Sequence, residues 1–152
     1  MGNVVPARVR MRVFLDTNVV FSGFYAPQGV PGIILERFFE GKFDLVISQK
    51  VVNELVDTMT KKLPEELPSL WELLVRSPLE IVGDPLPIEV ARWANLMDLD
   101  DATILAAAVL AEPDYLVTGD KHFLGNPDVA QRSGLRIITP AKFVQLLEQK
   151  PE

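Results

Sequence analysis

The sequence contains no cysteine and a single histidine, His122, and these two absences exclude several classes of chemistry. Without thiols there is no disulfide, no thiolate metal site and no cysteine nucleophile. A single histidine also excludes zinc sites that use two or more histidines. The absence of cysteine is consistent with a reducing cytosol, so we expect a cytoplasmic protein.

Long apolar runs are missing as well, and none approaches the roughly 18 residues that a membrane span requires. We therefore expect no membrane partner. The first residues, MGNVVPARVRM, lack the apolar core of a signal peptide. We interpret residues 1–10 as a short extension and residues 11–150 as one domain, because 152 residues suit a single folded unit.

Basic residues are scarcer than acidic ones, with 15 Lys and Arg against 21 Asp and Glu and a net charge of −6. Nucleic-acid-binding proteins are usually basic, so this balance argues against an extended nucleic-acid footprint. It does not argue against a small catalytic site, because bound metal ions would offset the local negative charge there.

Short apolar, β-prone runs alternate with helical patterns along the chain. The predicted strands are residues 12–15, 43–48, 79–82, 115–118 and 135–138. The predicted helices are residues 31–41, 49–62, 64–76, 87–97, 101–111 and 140–148. This alternation predicts an α/β domain, a Rossmann-like three-layer sandwich with helices on both faces of a parallel sheet. Ligands of such sheets bind beyond the carboxyl ends of the strands.

Four carboxylates fall on that edge of the predicted sheet. Asp16 directly follows the first strand, and Asp120 follows the fourth, in the sequence VTGD. Glu54 lies in the helix after the second strand, roughly 8 Å from its start. Asp101 opens the helix that leads into the fourth strand, and such a helix begins at the same edge. All four acids converge if the first and fourth strands are neighbours.

Carboxylates that converge repel one another and take up protons unless a cation compensates. Mg²⁺ and Mn²⁺ prefer oxygen ligands, and one or two such ions can activate water and stabilise a phosphodiester leaving group. Each acid alone has an ordinary explanation as a helix cap, a turn residue or a solvated helical side chain. In DLDDA, Asp98 and Asp100 also compete with Asp101 for any role. The metal-site prediction therefore depends on the shared edge.

Together these segments resemble the PIN-domain family over about residues 11–147. The family's first-strand motif is matched by FLDTNVVFSGF, with Asp16 as the first acid and Asn18 as a supporting polar residue. The second strand and following helix are matched by LVISQKVVNEL, with Glu54 as the second acid. The third and fourth acids, Asp101 and Asp120, lie in the matching segment DDATILAAAVLAEPDYLVTGDKHFL.

The resemblance is greatest to the VapC-like branch of toxins from toxin–antitoxin pairs. It implies a five-stranded parallel sheet with the first strand central. It also implies a Mg²⁺- or Mn²⁺-dependent endoribonuclease that acts on single-stranded or structured RNA, with the four acids as catalytic metal ligands. Thr118 matches the hydroxyl residue that commonly assists the metal-bound water. A homodimer and an antitoxin protein are the implied partners.

Two other functions stay open at this point. The DTN sequence would also suit a phosphatase of the α/β class with Asp16 as its nucleophile, which would form a covalent aspartyl-phosphate. The other is a non-catalytic module that binds RNA or a partner protein and uses its acidic edge only as a metal or peptide site.

Few residues near the predicted edge could contact RNA directly. Lys50, Lys121 and His122 could contact phosphates, although ordinary surface charge is the more common explanation. Phe24 and Tyr25, in a predicted loop that contains Gly and Pro, could stack on unpaired bases. Packing under the next helix or at a dimer interface is the more common role of such aromatic residues.

Overall fold

A five-stranded parallel sheet forms the centre of the computed structural model, which describes residues 10–149. The strands are β1 (Arg12–Leu15), β2 (Asp44–Ser48), β3 (Glu80–Val82), β4 (Tyr115–Val117) and β5 (Ile137–Ile138). Their order is β3-β2-β1-β4-β5, and every neighbouring pair is parallel. The first strand is therefore central and pairs directly with the fourth, which is the condition for the four acids to converge. The predicted α/β sandwich is confirmed.

Nine α-helices surround the sheet in the described residues. They are α1 (Thr17–Tyr25), α2 (Val30–Phe39), α3 (Gln49–Lys62), α4 (Leu67–Trp71), α5 (Pro87–Ala91), α6 (Leu99–Ala111), α7 (Lys121–Leu124), α8 (Pro127–Ser133) and α9 (Pro140–Glu148). A 3₁₀ turn precedes α4 at Pro64–Glu66, and a π-helical segment follows it at Glu72–Arg76. The strand bounds agree with the sequence-based prediction within two residues, which is the usual scatter at element ends.

The core lies on both faces of the central strands. Val13, Phe14 and Leu15 of β1 are fully buried, because helices cover both sides of a parallel sheet. The helix α6 is almost wholly apolar and largely buried, and its alanines let it pack closely on the sheet. No helix among residues 10–149 has the length and apolar character to cross a membrane.

The prediction of a loop at Phe24 and Tyr25 is wrong, because both residues belong to α1. The sequence of this helix, TNVVFSGFY, combines β-branched residues with a glycine, and both are poor helix formers. Tertiary packing overrides that weak propensity. A Cβ atom at Gly23 would lie 2.6 Å from Leu35 Cδ1, so the glycine allows α1 and α2 to approach closely.

Two predicted helices differ from the structure. Residues 64–76 form three consecutive segments rather than one helix, because Pro64 and Pro68 each lie in the first turn of a new segment. The helix predicted over residues 87–97 ends at Ala91. Beyond it, tighter i→i−3 hydrogen bonds such as Trp93 N–H to Val90 O form turns, and these place the Trp93 ring in the core. The short helices α7 and α8 were not predicted.

The ends of the chain are described only in part. Residues 1–9 of the predicted extension, and residue 150 of the predicted domain, lie outside the described residues. Arg10 is described and contacts the domain. Its guanidinium donates to Gly41 O at 3.2 Å and forms an ion pair with Asp44 at 3.0 Å.

Candidate active site

Asp16 lies at the junction of the central strand and α1, and it is the most buried acid in the described part of the chain. Only 5% of its surface is exposed. Its Oδ1 accepts a hydrogen bond from Thr17 N–H at 2.8 Å, and its Oδ2 accepts one from the Thr118 hydroxyl at 2.7 Å. Burial, with a smaller contribution from nearby Asp120 and Asp101, raises the pKa of Asp16 to about 6 despite these two hydrogen bonds.

Thr118 connects the ends of β1 and β4. Its side chain is fully buried, and its hydroxyl donates to Asp16 and accepts from Asp120 N–H at 3.0 Å. The backbone N–H of Asp16 also donates to Val117 O at 3.1 Å. These bonds hold Asp16 and Asp120 in a defined relation. The hydroxyl proton of Thr118 is donated to the Asp16 carboxylate.

Asp101 and Asp120 form a close group with His122. Their ligand atoms all lie within 4.8 Å of one another. His122 Nδ1 lies 2.8 Å from Asp101 Oδ2 and 3.6 Å from Asp120 Oδ1. The hydrogen bond to Asp101 is the main reason that the pKa of His122 is raised, whereas burial is the main reason that the pKa of Asp101 is raised. The sequence predicts His122 only as a phosphate contact, and it does not predict this contact with two acids.

Asp98, Asp100 and Asp101, the three acids at the start of α6, make different contacts in the structure. Asp98 is the N-cap, and its Oδ1 accepts from Asp101 N–H at 2.9 Å. Asp100 faces solvent and forms an ion pair with Lys50 at 2.8 Å. Asp101 is the third residue of the helix rather than its first. Among the three, Asp101 is the one that lines the cavity shared with Asp16.

Glu54 lies on the other wall of this cavity, on α3. Its Oε1 accepts a hydrogen bond from the Thr17 hydroxyl at 2.6 Å, and its Oε2 lies 3.8 Å from Lys50 Nζ. Thr17 thus links Glu54 to the loop that holds Asp16. Because Lys50 is already paired with both Glu54 and Asp100, its ammonium is less available for RNA phosphates than the sequence suggests.

The acids line one cavity of about 310 Å³. Its lining residues are Asp16, Thr17, Asn18, Phe21, Glu54, Thr58, Lys62, Asp101, Ile104 and Asp120. All four predicted acids and Asn18 are therefore brought together, and Thr118 lies behind Asp16. A larger cavity of about 710 Å³ between α5 and α6 has a mostly apolar lining and contains none of the four acids.

The donor set fits a hard divalent cation. It consists of carboxylate oxygens, which Mg²⁺ and Mn²⁺ prefer. Within residues 10–149, no Lys or Arg nitrogen lies within 4.0 Å of the carboxylates of Asp16, Asp101 or Asp120. His122 partly offsets two of these charges when it is protonated, but Asp16 has no cationic partner among the described residues. A bound cation would supply the missing charge.

Residues 12–122 match the family model of the PIN domain. The chain belongs to the PIN-domain family. The uncharacterized protein MJ1680 of Methanocaldococcus jannaschii is 27% identical to this PIN domain, over 93% of this chain and 95% of its own length. The resemblance that the sequence motifs indicate is thereby confirmed, and nuclease activity is general in this family.

Three solved structures share the fold of this PIN domain. FitAcB from Neisseria gonorrhoeae is 20% identical with a TM-score of 0.58, over 85% of this chain and 98% of that one. VapBC2 from Rickettsia felis, bound to a DNA fragment from their promoter, has 20% identity, a TM-score of 0.60 and the same coverage, 85% and 98%. PAE2754 from Pyrobaculum aerophilum is 18% identical with a TM-score of 0.60, over 95% of this chain and 100% of that one.

Proposed function

We propose that this PIN domain is a metal-dependent endoribonuclease and that Asp16, Glu54, Asp101 and Asp120 hold one or two Mg²⁺ or Mn²⁺ ions. The observation that carries this proposal is the cavity itself. Four acids from four separate segments of the chain line a space of about 310 Å³, and three of them have no Lys or Arg nitrogen within 4.0 Å among the described residues. A protein does not keep buried negative charge in this arrangement without cost.

The surrounding residues have roles that follow from their contacts. Thr118 orients Asp16, and Thr17 orients Glu54 across the cavity. A divalent cation held by these acids would supply an activated water and would neutralise charge on the leaving oxygen. Glu54, whose second oxygen faces Lys50, either binds the cation or orients the attacking water. Asn18 lines the cavity and offers a polar contact to substrate.

The biological setting is also part of the proposal. We propose that the protein is the toxin of a toxin–antitoxin pair, forms a homodimer and is held inactive by an antitoxin protein. The VapC-like sequence motifs and the fold likeness to VapBC2 and FitAcB support this setting. The expected cytoplasmic location, and the RNA contacts of Lys121 and His122, stay predictions. Tyr25, which is 67% exposed on α1, also remains available to stack on a base.

The phosphatase alternative is disfavoured by the environment of Asp16. A nucleophilic carboxylate must present a free oxygen to the substrate phosphorus. Asp16 is 5% exposed, and each of its oxygens already accepts one hydrogen bond. A remaining lone pair can reach a small cation in the cavity, but an oxygen buried to this degree is poorly placed to attack a phosphate ester. A covalent aspartyl-phosphate on Asp16 would nevertheless be direct evidence for that alternative, and intact-mass measurement after incubation with a phosphate ester would detect it.

The test is cleavage of a mixed pool of single-stranded RNA and transfer RNA with Mg²⁺, Mn²⁺ or EDTA. We expect the wild type to cleave only with metal, and Asp16→Asn and Asp101→Asn to be inactive while folded. Asp57→Asn is the matched control, because it removes an equivalent charge from the exposed face of α3 and should leave cleavage unchanged. Cleavage by either site variant at the wild-type rate would remove the mechanism. RNA binding without cleavage under every metal would favour the non-catalytic module.

A further inference from the structure

Among residues 10–149, one cationic side chain lines the acidic cavity, and the sequence motifs do not single it out. Lys62 is the last residue of α3 and lines the same cavity as the four acids. Glu54, Thr58 and Lys62 are spaced four residues apart, so they follow one stripe along the helix. Lys62 lies about 12 Å along the axis from Glu54 at 1.5 Å per residue. The cavity therefore has an acidic end and a basic end.

The ammonium of Lys62 differs from those of the other lysines on α3. Lys50 is paired with Asp100 and Glu54, and Lys61 is paired with Asp57 at 3.2 Å. Lys62 has no carboxylate within 4.0 Å among residues 10–149. Its ammonium thus forms no ion pair with the described residues, although the protein as a whole carries a net charge of −6. A free cation in an acidic protein, on the wall of an acidic cavity, indicates an anionic ligand.

An aromatic wall is part of the same cavity. Phe21 of α1 lines it and is half-buried, and its ring stacks on that of Tyr25 with centroids 5.9 Å apart and an interplanar angle of 19°. Phe21 thus packs against a neighbouring ring on the same helix. An aromatic face beside a free ammonium matches the two chemical parts of a nucleotide, because bases stack on aromatic rings and phosphates bind lysine.

We propose that Lys62 and Phe21 form a subsite for the nucleotide next to the cleaved bond, in which Lys62 binds the flanking phosphate and Phe21 packs against the base. This proposal rests on the proposed nuclease function, and it specifies which nucleotide of the RNA strand the cavity would hold. Both residues act as positioning residues. The acidic end repels a polyanion until cations are bound, so a contact at the opposite end would retain the strand and set its direction.

Lys61 provides a matched control for Lys62. Both lysines lie in the last turn of α3, where the helix dipole stabilises a positive charge. Only Lys62 lines the cavity. Lys61→Gln and Lys62→Gln therefore remove the same charge from the same turn, and they should change the melting temperature by a similar small amount. A difference in RNA cleavage between the two variants can therefore be attributed to the position of Lys62 in the cavity.

The experiment measures kcat and KM for a short single-stranded RNA with Mn²⁺ at several salt concentrations. We expect Lys62→Gln to raise KM on the order of threefold to tenfold, and to reduce the slope of log KM against log salt by about 0.7, the value for one phosphate contact. The kcat should stay within about twofold, because no contact with the acids is lost. Lys62→Arg should restore KM, and Lys61→Gln should match the wild type.

A second pair of measurements locates the flanking nucleotide. The effect of Lys62→Gln should disappear on oligonucleotides shortened on one side of the cleaved bond and persist on those shortened on the other. Phe21→Leu should raise KM for the same substrates that respond to Lys62→Gln. Equal KM values for Lys62→Gln and Lys61→Gln, with the wild type active, would overturn the subsite alone. No cleavage by the wild type would overturn the proposed function and the subsite with it.

Discussion

Replacement of Asp16 by asparagine should stabilise the metal-free protein at neutral pH while it abolishes cleavage. Burial raises the pKa of Asp16 from 3.8 to about 6. An acid whose pKa is raised in the folded state makes the fold less stable when it is ionised. The difference is about two units, and one unit corresponds to about 1.4 kcal/mol. The ionised carboxylate therefore destabilises the metal-free fold by about 3 kcal/mol above pH 6.

The pH dependence follows from the direction of this shift. Between about pH 4 and pH 6, the folded protein keeps a proton on Asp16 that the unfolded chain has released. Metal-free stability should therefore fall as pH rises through this window and stay lower above it. Asparagine does not ionise, so Asp16→Asn lacks this contribution. Below about pH 4 Asp16 is neutral in the folded and the unfolded protein, so the pH-dependent part of the difference between wild type and variant should vanish there.

Hydrogen bonding reduces the expected gain. The amide oxygen of asparagine can still accept from Thr17 N–H, but the amide nitrogen replaces an acceptor of the Thr118 hydroxyl with a donor. One unfavourable buried contact of this kind costs about 1–2 kcal/mol. We therefore expect a net stabilisation of about 1–2 kcal/mol at pH 7.5, or a few degrees in melting temperature for a domain of this size.

Denaturant unfolding in EDTA from pH 4 to pH 8 measures this difference, with Asp57→Asn as the control for loss of one exposed charge. The control should stay within about 0.5 kcal/mol of the wild type throughout. Added Mg²⁺ or Mn²⁺ should stabilise the wild type, by about 2.7 kcal/mol at 100 times the dissociation constant, and should not stabilise Asp16→Asn. A less stable variant at pH 7.5 in EDTA, or a difference independent of pH, would contradict the cost of the buried charge.

Three further perturbations have defined outcomes. Thr118→Val should cost about 1–3 kcal/mol in chemical unfolding and lower kcat more than tenfold, because it removes one of the two hydrogen bonds that Asp16 accepts, whereas Thr118→Ser should keep most of both. Gly32→Ala should lower the melting temperature strongly, since its Cβ would overlap a backbone carbonyl of the preceding turn, while Gly29→Ala meets only an ordinary contact at 3.4 Å and should not. Glu80→Gln should lower stability by less than about 1 kcal/mol at pH 7, because Arg12 lowers the pKa of Glu80, and this loss should vanish in acid titrations of unfolding once the carboxyl of Glu80 takes up its proton.

Helix α1 is an element that local sequence signals do not predict. TNVVFSGFY contains no strong helix signal, and the loop prediction at Phe24 and Tyr25 follows from its glycine and the proline that comes after. The helix forms because Asp16 caps its first turn and because Val19, Val20 and Gly23 pack inward. Packing of α1 against α2 depends on residues outside α1, such as Leu35. The helix propensity of TNVVFSGFY alone therefore cannot predict this helix.

The candidate site divides in the same way. Asp16, Glu54, Asp101 and Asp120 are recognisable in the sequence, because their motifs follow predicted strands and begin predicted helices. The sequence alone cannot choose among the three acids of DLDDA. That choice depends on the first turn of α6, where each successive residue points about 100° further around the axis. Asp98 therefore caps the helix, Asp100 reaches Lys50, and Asp101 lines the cavity.

The sequence by itself determined the fold class, the strands and the four acids, because apolar runs and short motifs are local properties that depend on neighbours in the chain. Only the tertiary structure decided which strands are adjacent, since β1 pairs with β4 across about 100 residues of intervening chain. That pairing brings Thr118 to Asp16 and His122 to Asp101. The tertiary structure also decided that Lys62, and not Lys61, lines the acidic cavity, because successive residues of a helix point about 100° apart.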